Sequence, residues 1–264
     1  MNKTCLRIGL SLPHTDASGL ENILSIPEAF DILELDGELS GQLSNINSQY
    51  PWLQDFEYFN FRNLLPASLT RQLCEENIAI IPEYKKQMRE LLLRVHALHA
   101  ETVSIDPDWE ILSRDESRRQ IFNDILCSTA GDRECCQIEL VIPVRIPGSG
   151  QVNITDSVKL LYQLSNYRVK LALDIYPHEL LNSNLNWADL LRHFRFDISA
   201  VRLCYESELG NKLLYKHIEP VIEVLKKFNQ TINVYFAPSG RADLNELAEV
   251  AQQIKQGTVP NESQ

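Results

Sequence analysis

Long apolar runs are missing from this chain of 264 residues. None approaches the ~20 consecutive apolar residues that a bilayer-spanning helix requires. The opening Met-Asn-Lys-Thr-Cys-Leu-Arg runs directly into strand-like sequence and lacks the apolar region of a signal peptide. Membrane insertion is therefore not expected, and a cytoplasmic location is. A basic excess is also missing. Lys and Arg number 25 against 36 Asp and Glu, a formal charge of -11. That balance opposes binding to nucleic acid or to an acidic membrane surface. The six cysteines (Cys5, Cys74, Cys127, Cys135, Cys136, Cys204) show neither metal-site spacing nor a dense disulfide pattern. Reduced thiols are expected. No glycine-rich turn follows the first strand, as a dinucleotide-binding fold would want. No phosphate loop, hydrolase elbow or zinc-protease pattern occurs.

What the chain does contain is alternation. The stretch Tyr167-Arg-Val-Lys-Leu-Ala-Leu-Asp-Ile-Tyr-Pro-His178 reads as a buried strand. Val169, Leu171 and Leu173 make one apolar face; Lys170, Ala172 and Asp174 make the other. Pro177 cannot donate to a ladder, so the strand stops near it. Seven further strands are expected at 6–12, 30–35, 58–65, 101–106, 137–146, 198–204 and 231–236. Helical spacing falls between them, at 19–30, 78–100, 114–129 (capped by Ser113), 156–164, 187–194, 216–228 (Pro220 in its first turn) and 241–256. Strand–helix alternation implies parallel strands joined by right-handed crossovers. Eight units in this length suit a single (β/α)8 TIM barrel over residues 1–256, with a polar tail at 257–264. An open doubly wound sheet is the alternative.

Active sites of such barrels lie at the C-terminal strand ends. Strand parity assigns the inward residues there: Gly9 and Ser11, Glu34 and Asp36, Asn60 and Arg62, Ser104 and Asp106, Arg145, Asp174, Arg202, and Asn233 and Tyr235. Carboxylates thus arrive on strands two, four and six, and guanidiniums on three, five and seven. Charges gathered in a low-dielectric mouth must pair or bind something charged. One reading is a site for a small polar or anionic sugar-like metabolite, gripped by arginine forks. The other is a ring of salt bridges satisfied within itself. His178, just past strand six, is a further candidate contact. His96 and His99, three apart at a helix end, fit a helix-terminus cation better than a metal site.

Some segments resemble the sugar phosphate isomerase/epimerase family, the xylose-isomerase-like barrels. These are Ile32-Leu-Glu34-Leu, the passage from Asn63-Leu-Leu-Pro66 to Ala100-Glu-Thr-Val-Ser-Ile105, and Leu171-Ala-Leu-Asp174 with His178 following. The resemblance spans nearly the whole chain as strand order and spacing. It implies a divalent metal such as Mn or Zn held by a Glu on strand five, the strand-six Asp, a His on strand seven and a Glu on strand eight. Only Asp174 matches. Arg145 ends strand five, Arg202 takes the histidine's place, and strand eight reads Val234-Tyr-Phe-Ala-Pro238. Arginine has donors only and cannot ligate a metal. No metal or other cofactor is therefore expected, the ligand set being incomplete. Arg145 and Arg202 would supply the positive charge instead.

The expected function is proton transfer next to the carbonyl of a small sugar or sugar acid. Glu34 and Asp174 would be the catalytic carboxylates. Arg62, Asp106, Arg145, His178, Arg202 and Tyr235 would bind substrate. The alternative is a non-catalytic barrel that binds a carbohydrate-like metabolite.

Overall fold

In the computed structural model, the residues described are 5–12, 27–37, 56, 58–63, 79, 81–105, 115–130, 137–146, 169–182, 186–206, 215–239 and 243–256. Eight parallel strands close into a barrel: β1 (Cys5–Leu12), β2 (Ile32–Asp36), β3 (Tyr58–Arg62), β4 (Ala100–Ser104), β5 (Glu139–Ile146), β6 (Val169–Ile175), β7 (Ile198–Glu206) and β8 (Thr231–Ser239). β8 pairs back onto β1, with Gly9 beside Tyr235. The eightfold barrel expected from alternation is the architecture found. Six α-helices lie among the described residues: α1 (Ile81–Ala97), α2 (Glu116–Ala130), α3 (Pro177–Leu181), α4 (Trp187–His193), α5 (Tyr215–Leu225) and α6 (Leu244–Gln256).

Side-chain alternation separates two cores. The outward strand faces (Ile8 and Leu10, Leu33 and Leu35, Leu171 and Leu173, Val201 and Leu203, Val234 and Phe236) join one large cluster with the helices. α5 contributes Ile218, Val221, Ile222 and Leu225 to it, spaced to share one face of a helix. Burying each such side chain stabilises the fold by about 1.5–3 kcal/mol. The inward faces form a smaller apolar plug of Ile32, Val141, Ala172, Ala200 and Tyr235. Glu34, Asp174 and Arg202 each lie two residues beyond a plug residue, toward the C-terminal strand ends.

Several boundaries differ from the expectation for identifiable reasons. α1 stops at Ala97 because His99 adopts a left-handed φ of 61°. That turn frees Ala100 to begin β4, and it places His99 outside the helix. α2 is capped by Asp115, whose Oδ1 accepts the backbone N–H groups of Ser117 (2.9 Å) and Arg118 (3.3 Å). Ser113, the expected cap, lies outside the described residues. α5 begins at Tyr215, so Pro220 falls inside the helix and not in its first turn. Within the expected first helix, Pro27–Ala29 form a 3-10 turn. α3 was not anticipated: Pro177 ends the strand and opens this short helix. The expected helix at 156–164 lies outside the described residues.

Gly9 shows how tightly the inner plug is filled. A Cβ there would sit 2.4 Å from Ile32 Cγ2, 2.6 Å from the Ile32 carbonyl oxygen and 2.9 Å from Tyr235 Cδ1. Gly9→Ala should therefore destabilise the barrel by about 1–3 kcal/mol, the range for overpacking. Urea denaturation measures this; an unchanged midpoint would contradict the packing described.

Candidate active site

Four charged side chains meet inside the mouth, each delivered by an inward strand position. Glu34 comes from β2, Arg62 from β3, Asp174 from β6 and Arg202 from β7. The strand register aligns Ser11 with Glu34, and Asp174 with Arg202. Arg202 reaches across the lumen and forks onto Glu34. Its Nε donates to Oε2 at 2.7 Å and its Nη2 to Oε1 at 2.7 Å. The same guanidinium donates through Nη1 to Asp174 Oδ1 at 3.0 Å. Arg62 spans the lumen from β3 and donates through Nη2 to Asp174 Oδ2 at 2.9 Å. Ser11 Oγ donates to Glu34 Oε2.

Two carboxylates and two guanidiniums balance one another, so the group is neutral as a whole. Its inner half is sealed: side-chain exposure is 0% for Arg202 and 2% for Glu34. Its outer half touches solvent, with 17% for Arg62 and 12% for Asp174. Only the Arg62–Asp174 half is accessible from outside. Burial by itself would raise the Glu34 carboxyl. The charge and hydrogen bonds of Arg202, with smaller help from Arg62 and Ser11, more than offset burial and hold it below the ordinary carboxylate range. Glu34 is thus an ionised carboxylate with both oxygens engaged, a poor proton acceptor as it stands.

Around the accessible half lies a rim. Arg145 Nη2 donates to Glu179 of α3 at 2.8 and 3.0 Å, and its guanidinium stacks over Tyr176, 4.1 Å from the ring centroid. Burial, then the neighbouring Cys204 and Asp174, push the Tyr176 phenol up, against the opposing charges of Arg145 and Arg62. It stays protonated at neutral pH and can donate. Cys204 is inward on β7, and its thiol donates to the Arg202 carbonyl oxygen at 3.7 Å. Burial and Asp174 push that thiol up to about 12, so it is not a thiolate nucleophile at neutral pH.

The structure brings Glu34, Arg62, Asp174 and Arg202 together, as parity implied. It holds Arg145 apart from Arg202, on the exposed rim against Glu179. Tyr235 lies within the inner plug, fully buried, its hydroxyl accepting from Asn60 Nδ2 at 2.5 Å. His178 is exposed on α3 and stacks with His217 of α5, ring centroids 4.5 Å apart. Asp106 lies outside the described residues. Tyr176 and Cys204 were missed. Each is two residues beyond a predicted inward residue, so continuing the alternation one step past Asp174 and Arg202 finds both.

A divalent metal does not fit this arrangement. Among the described residues no group of three or more His, Cys, Asp or Glu side chains is placed to hold one. The carboxylate oxygens that could ligate it are already taken by guanidinium donors.

Compared with solved structures, the chain shares its fold with sugar epimerases. It matches the D-psicose 3-epimerase of Clostridium cellulolyticum H10, solved with D-tagatose, at TM-score 0.66 and 14% identity, covering 95% of this chain and 97% of that one. The 3-keto-D-glucoside 4-epimerase of E. coli gives TM-score 0.68 and 14% identity over 95% and 99% of the two chains. A sugar phosphate isomerase/epimerase from Parabacteroides distasonis gives 0.59 and 12% over 96% and 93%. The chain thus has the closed (β/α)8 barrel fold of these structures. No protein-family model and no curated protein matches it.

The sealed half carries its own test. Glu34→Gln leaves Arg202 buried with half its counter-charge removed, and should cost about 3–5 kcal/mol at pH 7. A carboxylate held low contributes stability above its unfolded value of 4.5 that is lost as pH falls through its lower folded value. Wild type should therefore lose more stability between pH 6 and pH 3 than Glu34→Gln does, each followed by denaturant unfolding. Parallel losses would contradict the assigned pairing.

Proposed function

We propose that this protein is a sugar isomerase/epimerase-like barrel that binds a small sugar or sugar acid at its C-terminal mouth and works without a divalent metal. The observation that carries the reading is Arg202, fully buried between Glu34 and Asp174. A permanent guanidinium stands where a metal-dependent barrel of this fold would gather its ligands.

The accessible groups suit such a ligand. Arg62 offers a guanidinium fork to a carboxylate or to vicinal hydroxyls, Asp174 accepts from hydroxyls, and Tyr176 can donate. The Arg145–Tyr176 stack supplies a flat, partly apolar wall against which a sugar face can lie. The structures sharing this fold include a psicose epimerase, a ketoglucoside epimerase and a sugar phosphate isomerase/epimerase, which supports a sugar as the ligand class.

Binding is the part of this function that the geometry supports best. Proton transfer next to a carbonyl needs a carboxylate oxygen within reach of the substrate carbon. Glu34 has none to offer. Asp174 has the required exposure, which favours a second reading. A ligand carboxylate that takes Arg62 would release Asp174 Oδ2, and Asp174 would then act as the base.

Calorimetric titration with ketohexoses, aldonates and uronates, in the presence of a chelator, tests the proposal. Binding should persist under chelation, and Arg62→Ala should weaken it at least tenfold, about 1.4 kcal/mol or more. Failure of the whole panel, or binding that appears only with added Mn²⁺ or Zn²⁺, would overturn it. For the second reading, the bound sugar should exchange its carbon-bound proton with deuterated solvent in the wild type and not in Asp174→Asn.

A further inference from the structure

His178 and His217 stand side by side on two helices that follow neighbouring strands. His178 lies in the first turn of α3, following β6; His217 lies in the first turn of α5, following β7. Their ring centroids are 4.5 Å apart and the rings are tilted by 60°. Two imidazoles at this separation need only small side-chain rotations to aim one nitrogen each at a common point. His178 is exposed, so solvent and ions reach the pair. His217 is half-buried, and its Nδ1 is buried with no hydrogen-bond partner among the described residues. A buried polar nitrogen left unsatisfied is costly, and its presence needs a reason.

From this geometry we infer that His178 and His217 form a surface site for a borderline transition-metal ion such as Zn²⁺, Ni²⁺ or Cu²⁺, completed by water. Imidazole suits these ions, whereas Mg²⁺ and Ca²⁺ prefer oxygen donors. Neutral imidazole is the ligating form. The nearest acidic neighbour in sequence, Glu179, is engaged by Arg145. Among the described residues no third His, Cys, Asp or Glu joins the pair, so solvent fills the remaining positions. The chain's formal charge of -11 favours cation approach. Neither histidine belongs to the charged quartet, so the inference does not rest on the proposed sugar binding. It also predicts that metal can bind this protein without taking part in any reaction at the barrel mouth.

Full-length protein stripped by chelator and dialysed should be titrated with Ni²⁺ and Zn²⁺ by calorimetry. One ion per chain is expected, with affinity at least tenfold weaker in both His178→Asn and His217→Asn. Asp174→Asn should bind as wild type does. Cu²⁺ added to the wild type should give an electron paramagnetic resonance spectrum with nitrogen hyperfine splitting that both histidine variants lose. The inference is overturned if no ion binds, if both histidine variants bind as wild type does, or if Asp174→Asn alone abolishes binding. In the last case the ion sits in the mouth, and the metal-free reading of the mouth falls with it.

Discussion

The site is organised by one side chain. Arg202 is among the largest fully buried side chains of the protein, and it carries a permanent charge. An unpaired guanidinium in that position would cost several kcal/mol in lost hydration. The barrel offsets this with two carboxylates from different strands, and with a second arginine that balances the second carboxylate. Two of the three ion pairs run across the lumen, β2 to β7 and β3 to β6, and the third joins neighbouring β6 and β7. The network therefore ties opposite walls of the barrel together, as the apolar plug does one level below. A lysine could supply the charge at residue 202 but not the fork that engages both Glu34 oxygens while also reaching Asp174.

This constraint separates fold from chemistry. The architecture is that of sugar epimerases, over almost the full length of the chain. The inner half of the mouth is closed by protein groups, and among the described residues Arg62, Asp174 and the Arg145–Tyr176 rim face outward. A barrel with this interior presents hydrogen-bonding groups and a flat wall toward its mouth. It cannot polarise a carbonyl through a metal held by Glu34 and Asp174 while Arg202 stays between them.

Much of this was legible in the sequence, for a simple reason. Side chains alternate along a strand, so one well-placed aspartate and a run of leucines fix which residues look inward. That rule found Ser11, Glu34, Asn60, Arg62, Asp174 and Arg202 on the inward face. It could not say which charge pairs with which, because pairing depends on side-chain reach across the lumen. Arg145 shares the parity of its neighbours in register, yet Glu179 of α3 draws it to the rim. That helix was not anticipated, because Pro177 was taken as a stop and not also as the start of a helix. The same helix carries His178 and sets it beside His217. Tyr176 lies one alternation past Asp174, just beyond the last strand residue Ile175. Helix ends were less legible still, since Asp115 as a cap and His99 in a left-handed turn are decided by single backbone conformations.

The most direct test of the sealed quartet is crystallography of the wild-type protein grown with excess Mn²⁺, with data collected at a wavelength where manganese scatters anomalously. The Arg202 guanidinium should lie between Glu34 and Asp174, with no anomalous peak within coordinating distance of either carboxylate. A manganese peak bridging those carboxylates, with Arg202 displaced, would contradict the assignment of Arg202 as the resident cation of this site.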